Sequence, residues 1–279
     1  MTLEQGSLYI VSTPIGNLDD ITYRAVDILN KVDICASEDT RVSRILFKKY
    51  DISTKLISYH KFSEKSKINS LINLLKSGKD IALISDAGTP LISDPGQYLV
   101  EAAIENQIKT IPIPGPTSVI AALSVSGFNL ETFTFYGFFP RKLKERKKIL
   151  KEIASSNGPS VIFESGRRLE KLIDTLSEEL HEKCKILIAR EMTKMHETLY
   201  RGKIKNIKDL MLASEFGLKG EFVIVLDSAV ANQNDNLPYE DKRIIDILMN
   251  KLDKKLALEI GSEILQKKRN ELYQLKLKD

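Results

Sequence analysis

The chain has 279 residues, of which 42% are hydrophobic and 29% are charged, and its formal net charge is +4. These values are typical of a globular protein with one large or two ordinary domains, and the small positive charge permits nucleic-acid binding without requiring it. No apolar run reaches the roughly 18 residues of a membrane span, and residues 1–7 lack a signal segment. Two distant cysteines argue against a disulfide framework, so we expect a cytoplasmic protein without membrane contact.

The first half of the chain alternates strands and helices. Short apolar segments predict strands at 8–12, 32–37, 55–58, 81–84 and 110–113, and helices are predicted at 21–30, 40–48, 65–76 and 117–126. Asp39 is expected to cap the helix at 40–48, and Asp94 is expected to cap a further helix that has Pro95 at its first position. This repeated β-α order predicts a parallel sheet with right-handed crossovers.

The second half is less regular. Strands are predicted at 134–138, 160–163, 186–189 and 222–226, and 197–202 is a candidate for another. We therefore predict an α/β protein with a parallel-sheet domain at 1–115 and a second α/β domain with a mixed sheet at 116–228. A polar linker and a small helical tail would occupy 229–279.

Polar or glycine-rich loops follow many of the predicted strands. If these strands are parallel, the loops lie at one edge and form a cleft between the two domains, the usual place for a cofactor. Each loop alone could equally be an ordinary turn, but their recurrence favours a site. The loops are 13–17, 38–41, 85–90, 114–118, 164–168 and 190–197.

Common catalytic motifs are absent from the sequence. It has no G-x-x-x-x-G-K-[ST] phosphate loop, no G-x-G-x-x-G fingerprint and no G-x-S-x-G nucleophile elbow. His60, His181 and His196 are isolated and lack metal-ligand spacing, so we expect no metal site.

The loop sequences are longer and more specific than simple turns. In order and spacing they resemble the bacterial small-subunit ribosomal RNA (cytidine-2′-O)-methyltransferases, a branch of the tetrapyrrole methylase superfamily, over roughly residues 6–227. Asn270-Glu-Leu-Tyr273 is similar to the helical C-terminal piece of that family. The motifs are Ser12-Thr-Pro-Ile-Gly-Asn17, Glu38-Asp-Thr-Arg41, Ser85-Asp-Ala-Gly-Thr-Pro-Leu-Ile-Ser-Asp-Pro-Gly96, Pro114-Gly-Pro-Thr-Ser118 and Ala189-Arg-Glu-Met-Thr-Lys194.

The resemblance implies S-adenosylmethionine as methyl donor, held between two α/β domains, a homodimer, and a cytidine of the decoding region of small-subunit (16S) ribosomal RNA as substrate. Thr117 and Ser118 would hydrogen-bond the donor at a helix start, although helix capping is the alternative for both. The cofactor-binding positions that the resemblance implies are Pro14, Gly16, Asp86, Gly88, Thr89, Thr117, Ser118, Phe163, Ala189 and Gly220.

Residues that would assist transfer to a ribose hydroxyl are harder to name. Carboxylates or a desolvated lysine could accept the proton, and the candidates are Asp39, Glu164, Glu191 and Lys194. We expect Glu191 and Lys194 to lie nearest the ribose, with Asp39 as a further catalytic residue. A structural ion pair is the alternative for each acidic residue beside an arginine.

Basic residues in the loops and in the segment 141–151 are the candidates for RNA contact. A solvated helix face is the alternative for that segment. The predicted RNA-binding residues are Arg41, Arg141, Lys142, Arg146, Lys147, Arg167, Arg168 and Arg190.

Two other functions are compatible with the same scaffold. One is C-methylation of a tetrapyrrole, and the other is a ribosome-associated protein that binds RNA without catalysis. Transfer of a labelled methyl group to small ribosomal subunits, but not to a porphyrinogen, would separate them.

Overall fold

The structure is a computed structural model that describes residues 5–61, 64–215, 218–228, 239–269 and 272. Its strands are β1 (Leu8–Val11), β2 (Ile34–Ser37), β3 (Lys55–Ser58), β4 (Ile81–Ile84), β5 (Thr110–Ile113), β6 (Thr134–Phe138), β7 (Ser160–Ser165), β8 (Lys185–Arg190), β9 (Thr198–Lys203) and β10 (Glu221–Asp227). Its α-helices are α1 (Tyr23–Lys31), α2 (Thr40–Lys49), α3 (Glu64–Lys76), α4 (Gln97–Glu105), α5 (Ser118–Ser124), α6 (Leu143–Ala154), α7 (Gly166–Glu179), α8 (Ile204–Leu212), α9 (Tyr239–Lys251) and α10 (Lys254–Leu265).

The first sheet is five-stranded, with the order β3-β2-β4-β1-β5. All four neighbouring pairs are parallel, so the predicted parallel sheet is confirmed. Its central strands are buried on both faces because alternate residues join different apolar clusters. Leu83 packs in the cluster that contains Leu99 of α4, whereas Ala82 packs in the cluster that contains Leu29 of α1.

The second sheet is also five-stranded, with the order β6-β7-β10-β8-β9. β6 and β7 are parallel. β8 and β9 are neighbours joined only by residues 191–197, which is too short for a parallel crossover and therefore makes this pair antiparallel. The strands predicted in this half are present, with ends that differ by at most two residues.

The start of α4 differs from the prediction. Asp94 does not cap this helix, because α4 begins at Gln97 and its N-cap is Gly96, at φ 138°. The chain before it contains two left-handed residues, Leu91 and Ser93, which break the helical path that Asp94-Pro95 would otherwise open. The carboxylate of Asp94 instead accepts a hydrogen bond from the Ser85 side chain.

The chain forms two compact units. The first contains residues 1–126, 189–199 and 220–223, and the second contains 127–188, 200–219 and 224–279. The first unit therefore continues past the division at 115 expected from the sequence, since it contains α5, and it also includes two later segments.

In the second unit the tail helices α9 and α10 pack together, where a Cβ at Gly261 would lie 2.3 Å from Ile245 Cδ1. The linker 229–238 and Asn270, Glu271 and Tyr273 of the family motif lie outside the described residues. Among the helices described, none is long and apolar enough to cross a membrane.

Candidate active site

Three loops of the first unit meet at the carboxyl edge of its sheet. They follow β4, β1 and β5, which are adjacent strands, so the parallel order brings the loops side by side. Thr13 and Gly88 bond as an antiparallel pair, with Thr13 N–H donating to Gly88 O at 2.9 Å and Gly88 N–H to Thr13 O at 3.0 Å. Gly88 adopts φ 87°, which favours glycine at this position.

Hydroxyl groups connect the same loops. Thr89 Oγ1 donates to the backbone oxygen of Pro116 at 3.2 Å and lies 2.9 Å from Ser12 Oγ. Gly115 also packs closely, since a Cβ there would lie 2.9 Å from Ser12 Cβ. Thr89 therefore joins the loops that follow β1, β4 and β5.

Thr117 and Ser118 lie at the start of α5. Thr117 is the N-cap residue but makes no side-chain capping bond, and neither hydroxyl bonds to another of the residues described, so the capping alternative for Thr117 is not observed. Both side chains are half-buried. Their hydroxyls can hydrogen-bond a ligand at this edge of the sheet.

A cavity of about 190 Å³ lies against the loops that follow β1 and β4. Pro14, Gly16 and Asp86 line it together with apolar side chains of α2. The volume is below the roughly 300 Å³ at which ligand pockets usually begin, so this cavity can hold only part of a nucleoside-sized molecule.

Gly16 is the contact point between the first loop and residues 191–194. A Cβ at Gly16 would lie 2.5 Å from Lys194 Cγ and 2.8 Å from Met192 O. Thr193 Oγ1 accepts a hydrogen bond from Asn17 N–H at 3.0 Å. Glycine is favoured here because any Cβ would lie too close to Lys194, Thr193 and Met192 O unless residues 191–194 moved.

The predicted catalytic pair Glu191 and Lys194 forms a charged cluster with Glu221. Lys194 Nζ lies 3.1 Å from Glu191 Oε2 and 2.8 Å from Glu221 Oε2, and Glu191 Oε1 accepts the Glu221 N–H at 2.7 Å. A Cβ at Gly220, at φ 121°, would lie 2.8 Å from Glu191 Oε1. Gly220 is thus needed to admit the Glu191 carboxylate.

These contacts favour the charged forms of both Glu191 and Lys194. Burial alone would lower the pKa of Lys194, but its hydrogen bonds to Glu221 and Glu191 outweigh burial and raise it. Burial would raise the pKa of Glu191, but the Glu221 N–H and Lys194 outweigh it and lower the pKa. Lys194 is therefore held as a cation, which argues against the expectation that it accepts a proton.

Asp39 caps α2, as predicted. Its Oδ1 accepts the Arg41 N–H at 2.8 Å, and Arg41 Nη2 lies 2.5 Å from Oδ2. The side-chain hydrogen bonds from Arg41 lower the pKa of Asp39 to about 2. The ion-pair alternative is therefore observed at Asp39, which is a weak base in this arrangement.

A second group of carboxyls, Glu38, Asp86 and Asp94, has raised pKa values. Burial is the main cause for each, and the charge of a neighbouring carboxylate adds to it at every position. The pKa of Asp94 is raised to about 6. Asp86 Oδ1 also accepts the Asp39 N–H at 2.9 Å, which joins the loops after β2 and β4.

Sequence reasoning did not select Glu38 or Asp94 as site residues. The only signal was that Glu38-Asp39, Asp86 and Asp94 all follow neighbouring strands, which places them at one edge of the sheet. Among the described residues, no group of three or more His, Cys, Asp or Glu side chains is arranged to hold a metal ion.

The remaining predicted cofactor positions lie in both units. Ala189, in the first unit, is fully buried in β8. Phe163, in the second unit, lies in β7 and packs edge-on against Phe135 and Phe138, with ring centroids 4.9 and 5.5 Å away.

The predicted RNA-binding residues differ in what their side chains contact. Arg190 is buried and donates to His196 O at 2.8 Å, and Arg146 donates to Pro140 O at 2.7 Å with its guanidinium 5.6 Å from the centre of the Phe139 ring. Both therefore stabilise their own loops, which argues against them as phosphate ligands. The exposed members are Arg41, Arg141, Lys142, Lys147 and Arg167.

Arg168 belongs to an ion pair at the end of β7. Its Nη2 lies 2.7 Å from Oε1 of Glu164, whose side chain has 0% exposure. Arg168 Nη1 also donates to Phe139 O at 3.4 Å. The guanidinium is therefore fixed, and Arg168 is one of the residues that line a larger cavity of about 660 Å³.

The Tetrapyrrole (Corrin/Porphyrin) Methylases family matches residues 7–208 of the chain, which is more than two thirds of its length. The chain belongs to this tetrapyrrole methylase family. The family resemblance inferred from the loop motifs is thereby confirmed, and so is the prediction that the chain is a methyltransferase.

Two relatives of this methylase chain are similar over nearly their whole length. Both are named ribosomal RNA small subunit methyltransferase I. The Haemophilus influenzae protein is 40% identical, over 99% of this chain and 98% of its own, and the Vibrio cholerae protein is 41% identical, over 95% and 92%.

A solved structure shows the same fold at low sequence identity. The uroporphyrin-III C-methyl transferase from Thermus thermophilus, complexed with S-adenyl homocysteine, aligns with a TM-score of 0.55 and 14% identity over 81% of this chain and all of that chain. The predicted two-sheet α/β methylase fold is therefore confirmed.

Proposed function

We propose that this methylase transfers a methyl group from S-adenosylmethionine to the 2′-oxygen of a cytidine ribose in the decoding region of small-subunit ribosomal RNA. Relatives that are about 40% identical over nearly the full chain carry the ribosomal RNA small subunit methyltransferase name. The loop arrangement at the sheet edge, where Thr89 joins the loops after β1, β4 and β5, is the structural observation that supports this function.

The residues at this edge fit the proposed donor. They offer the half-buried hydroxyls of Thr117 and Ser118, which bond to no other described residue, on loops that the Thr13–Gly88 and Thr89 hydrogen bonds hold in place. Such neutral hydrogen-bonding groups suit the adenosine and the amino-acid end of the donor better than they suit a polyanion. When bound, S-adenosylmethionine supplies an activated methyl group on a sulfonium.

The chain's own contribution is orientation. Methyl transfer needs the attacking oxygen in line with the bond that breaks, and holding reactants in this geometry can contribute about 7–11 kcal/mol. Rigid loops with hydrogen-bonded backbones are suited to that task. A strong base is not required, since the proton of the ribose hydroxyl can leave late.

Glu191 and Lys194 are proposed to act next to the ribose as a fixed charge pair, and Asp39 to act by holding α2 and Arg41. Glu191→Gln and Lys194→Met are each expected to slow single-turnover methylation, because either change removes a charge from the cluster with Glu221. Unchanged single-turnover rates, with RNA binding intact, would exclude both residues from the reaction.

The decisive experiment is transfer of labelled methyl from S-adenosylmethionine. Small ribosomal subunits from cells that lack this protein and, separately, a porphyrinogen are offered as acceptors, and mass spectrometry of nuclease fragments maps the product. We expect label on one cytidine ribose of the small-subunit RNA. Label on the porphyrinogen alone would establish tetrapyrrole methylation instead, and RNA binding without transfer would establish a non-catalytic binder.

We also propose a cytoplasmic homodimer that binds small-subunit RNA and no membrane. The dimer is an expectation from the family resemblance, and the exposed apolar side chain of Ile104 on α4 is compatible with a protein partner. Arg41, Arg141, Lys142, Lys147 and Arg167 are the proposed RNA contacts, since their side chains are exposed.

A further inference from the structure

The second unit contains the cavity of about 660 Å³ whose lining combines aromatic and cationic side chains. Its volume is within the range of small-molecule sites. The lining residues are Phe138, Phe139, Pro140, Arg141, Ser165, Arg167 and Arg168.

Phe138 is the exposed aromatic group of this cavity. It is 59% exposed although it ends β6, and its ring makes an edge contact with Phe163 at 67°, which supports the ring from one side. Phe139, by contrast, is buried, and its N–H donates to Phe163 O at 3.2 Å. The exposed face of the Phe138 ring, at the wall of the cavity, is a surface on which a planar ligand can stack.

The arginines give the cavity its charge. Arg168 is neutralised and held by Glu164, whereas Arg141 and Arg167 form no ion pair within the part of the chain that the structure describes. Two exposed guanidinium groups beside an exposed ring therefore leave the cavity positive. Guanidinium groups bind phosphate oxygens through paired hydrogen bonds.

A single-stranded nucleotide matches this combination. A base stacks on an aromatic ring, and the phosphates on either side of it bind arginine. An acidic peptide would use the charge but would leave the Phe138 face uncovered, so the aromatic group favours RNA.

We propose that this cavity binds one unstacked nucleotide of the RNA substrate, with its base on Phe138 and its phosphates on Arg141 and Arg167. The inference rests on the proposed function and adds a specific RNA subsite to it. Arg168 is a fixed part of the cavity wall, since Glu164 and Phe139 O hold its guanidinium in place.

The test measures binding of the full chain to small ribosomal subunits that lack the modification, and to the RNA extracted from them, over a range of salt concentrations. Phe138→Ala is expected to weaken binding at least about fivefold at every salt concentration, because base stacking on an aromatic ring is lost. Phe138→Trp should restore the affinity. Arg167→Gln should flatten the slope of log K against log salt by about 0.7, the value for one phosphate of a single strand.

Matched controls come from the same chain. Phe133→Ala removes an aromatic side chain that is 43% exposed and does not line the cavity, and Arg24→Gln removes an exposed charge on α1. Phe133→Ala should not weaken binding as Phe138→Ala does, and Arg24→Gln should not flatten the salt slope as Arg167→Gln does. Thermal unfolding of each variant separates lost folding from lost binding.

The outcomes are distinct. A wild-type chain that neither binds nor methylates the subunits contradicts the proposed function itself. Wild-type methylation with unchanged affinity in Phe138→Ala contradicts only the nucleotide subsite. Sensitivity to Arg167→Gln without sensitivity to Phe138→Ala indicates a phosphate contact and overturns base stacking. Effects on intact subunits but none on extracted RNA indicate a protein partner and also overturn the proposal.

Discussion

Gly16 is the residue whose replacement tests the loop contact most directly. In Gly16→Ala the new Cβ would meet Lys194 Cγ at 2.5 Å and Met192 O at 2.8 Å, so residues 191–194 must move. We expect a loss of about 1–3 kcal/mol in unfolding free energy, typical of overpacking, and weaker S-adenosylmethionine binding by calorimetry.

Gly202→Ala is the matched control for this substitution. Nothing lies within 4 Å of a Cβ at Gly202, so the same chemical change should leave stability and donor binding close to wild type. Equal behaviour of the two variants would show that the contact between Gly16 and residues 191–194 is unimportant.

Asp94 provides a prediction about pH. Its pKa is raised from 3.8 to about 6 by burial and by the Glu38 charge, so the folded chain binds this proton more tightly than the unfolded chain does. Folding stability from this group is therefore highest below pH 4, falls as the pH rises through about 6 and is constant above it.

Asp94→Asn is expected to remove the loss of folding stability that the raised pKa of Asp94 causes as the pH rises through about 6. The difference in pKa sets an upper limit of about 3 kcal/mol, and solvent screening of this partly exposed group reduces the expected gain at pH 7.5 to about 1 kcal/mol. Urea unfolding of wild type and variant at pH 4 and pH 7.5 measures it. Asp209→Asn, at an exposed position on α8, is the control, and a gain for Asp94→Asn that is equal at both pH values would contradict the raised pKa.

At the scale of elements, α6 carries the clearest electrostatic prediction. Its lysines Lys144, Lys147 and Lys151 are exposed, whereas Arg146 is used internally against Phe139. Replacing all three lysines by glutamine should flatten the slope of log K against log salt for RNA binding by roughly two.

The control for α6 is Arg146→Gln. That change should lower thermal stability, because the contacts with Pro140 O and Phe139 are lost. It should have little effect on the slope of log K against log salt. A slope that stays unaltered in the triple variant would remove α6 from the RNA-binding surface.

The sequence predicted the strands well because short apolar segments bounded by turn residues have few alternatives. β3, β4, β5 and β6 have the predicted bounds. The start of α4 was mispredicted because Asp94-Pro95 has the composition of a helix start, while the left-handed backbone at Leu91 and Ser93 depends on tertiary contacts that no local pattern reveals.

The site was only partly predictable for a similar reason. Motif spacing placed Gly16, Gly88 and Thr89 in loops at the sheet edge, and the structure joins these loops by hydrogen bonds. Sequence could not distinguish Arg146, which faces Phe139, from exposed Arg141, because that difference arises from packing. The exposure of Phe138 was unpredictable for the same reason.

For the whole molecule, the proposed homodimer predicts a particle of twice the chain mass of 31.5 kDa in light scattering. Exposed apolar side chains such as Ile104 would be covered by the second copy, so Ile104→Asp is expected to shift the particle toward the mass of one chain. A mass of one chain for the wild type at micromolar concentration would contradict the dimer.

The first unit is built from segments that are far apart in the sequence, and this limits when it can assemble during translation. Residues 189–199 and 220–223 belong to that unit, although the rest of it ends at 126. A nascent chain that has emerged only to residue 126 can pair the strands of the first sheet, but it lacks the residues that surround Gly16. The loop contact around Gly16 therefore forms late in synthesis, after residue 194 has left the ribosome, and the contacts of Glu221 follow later still.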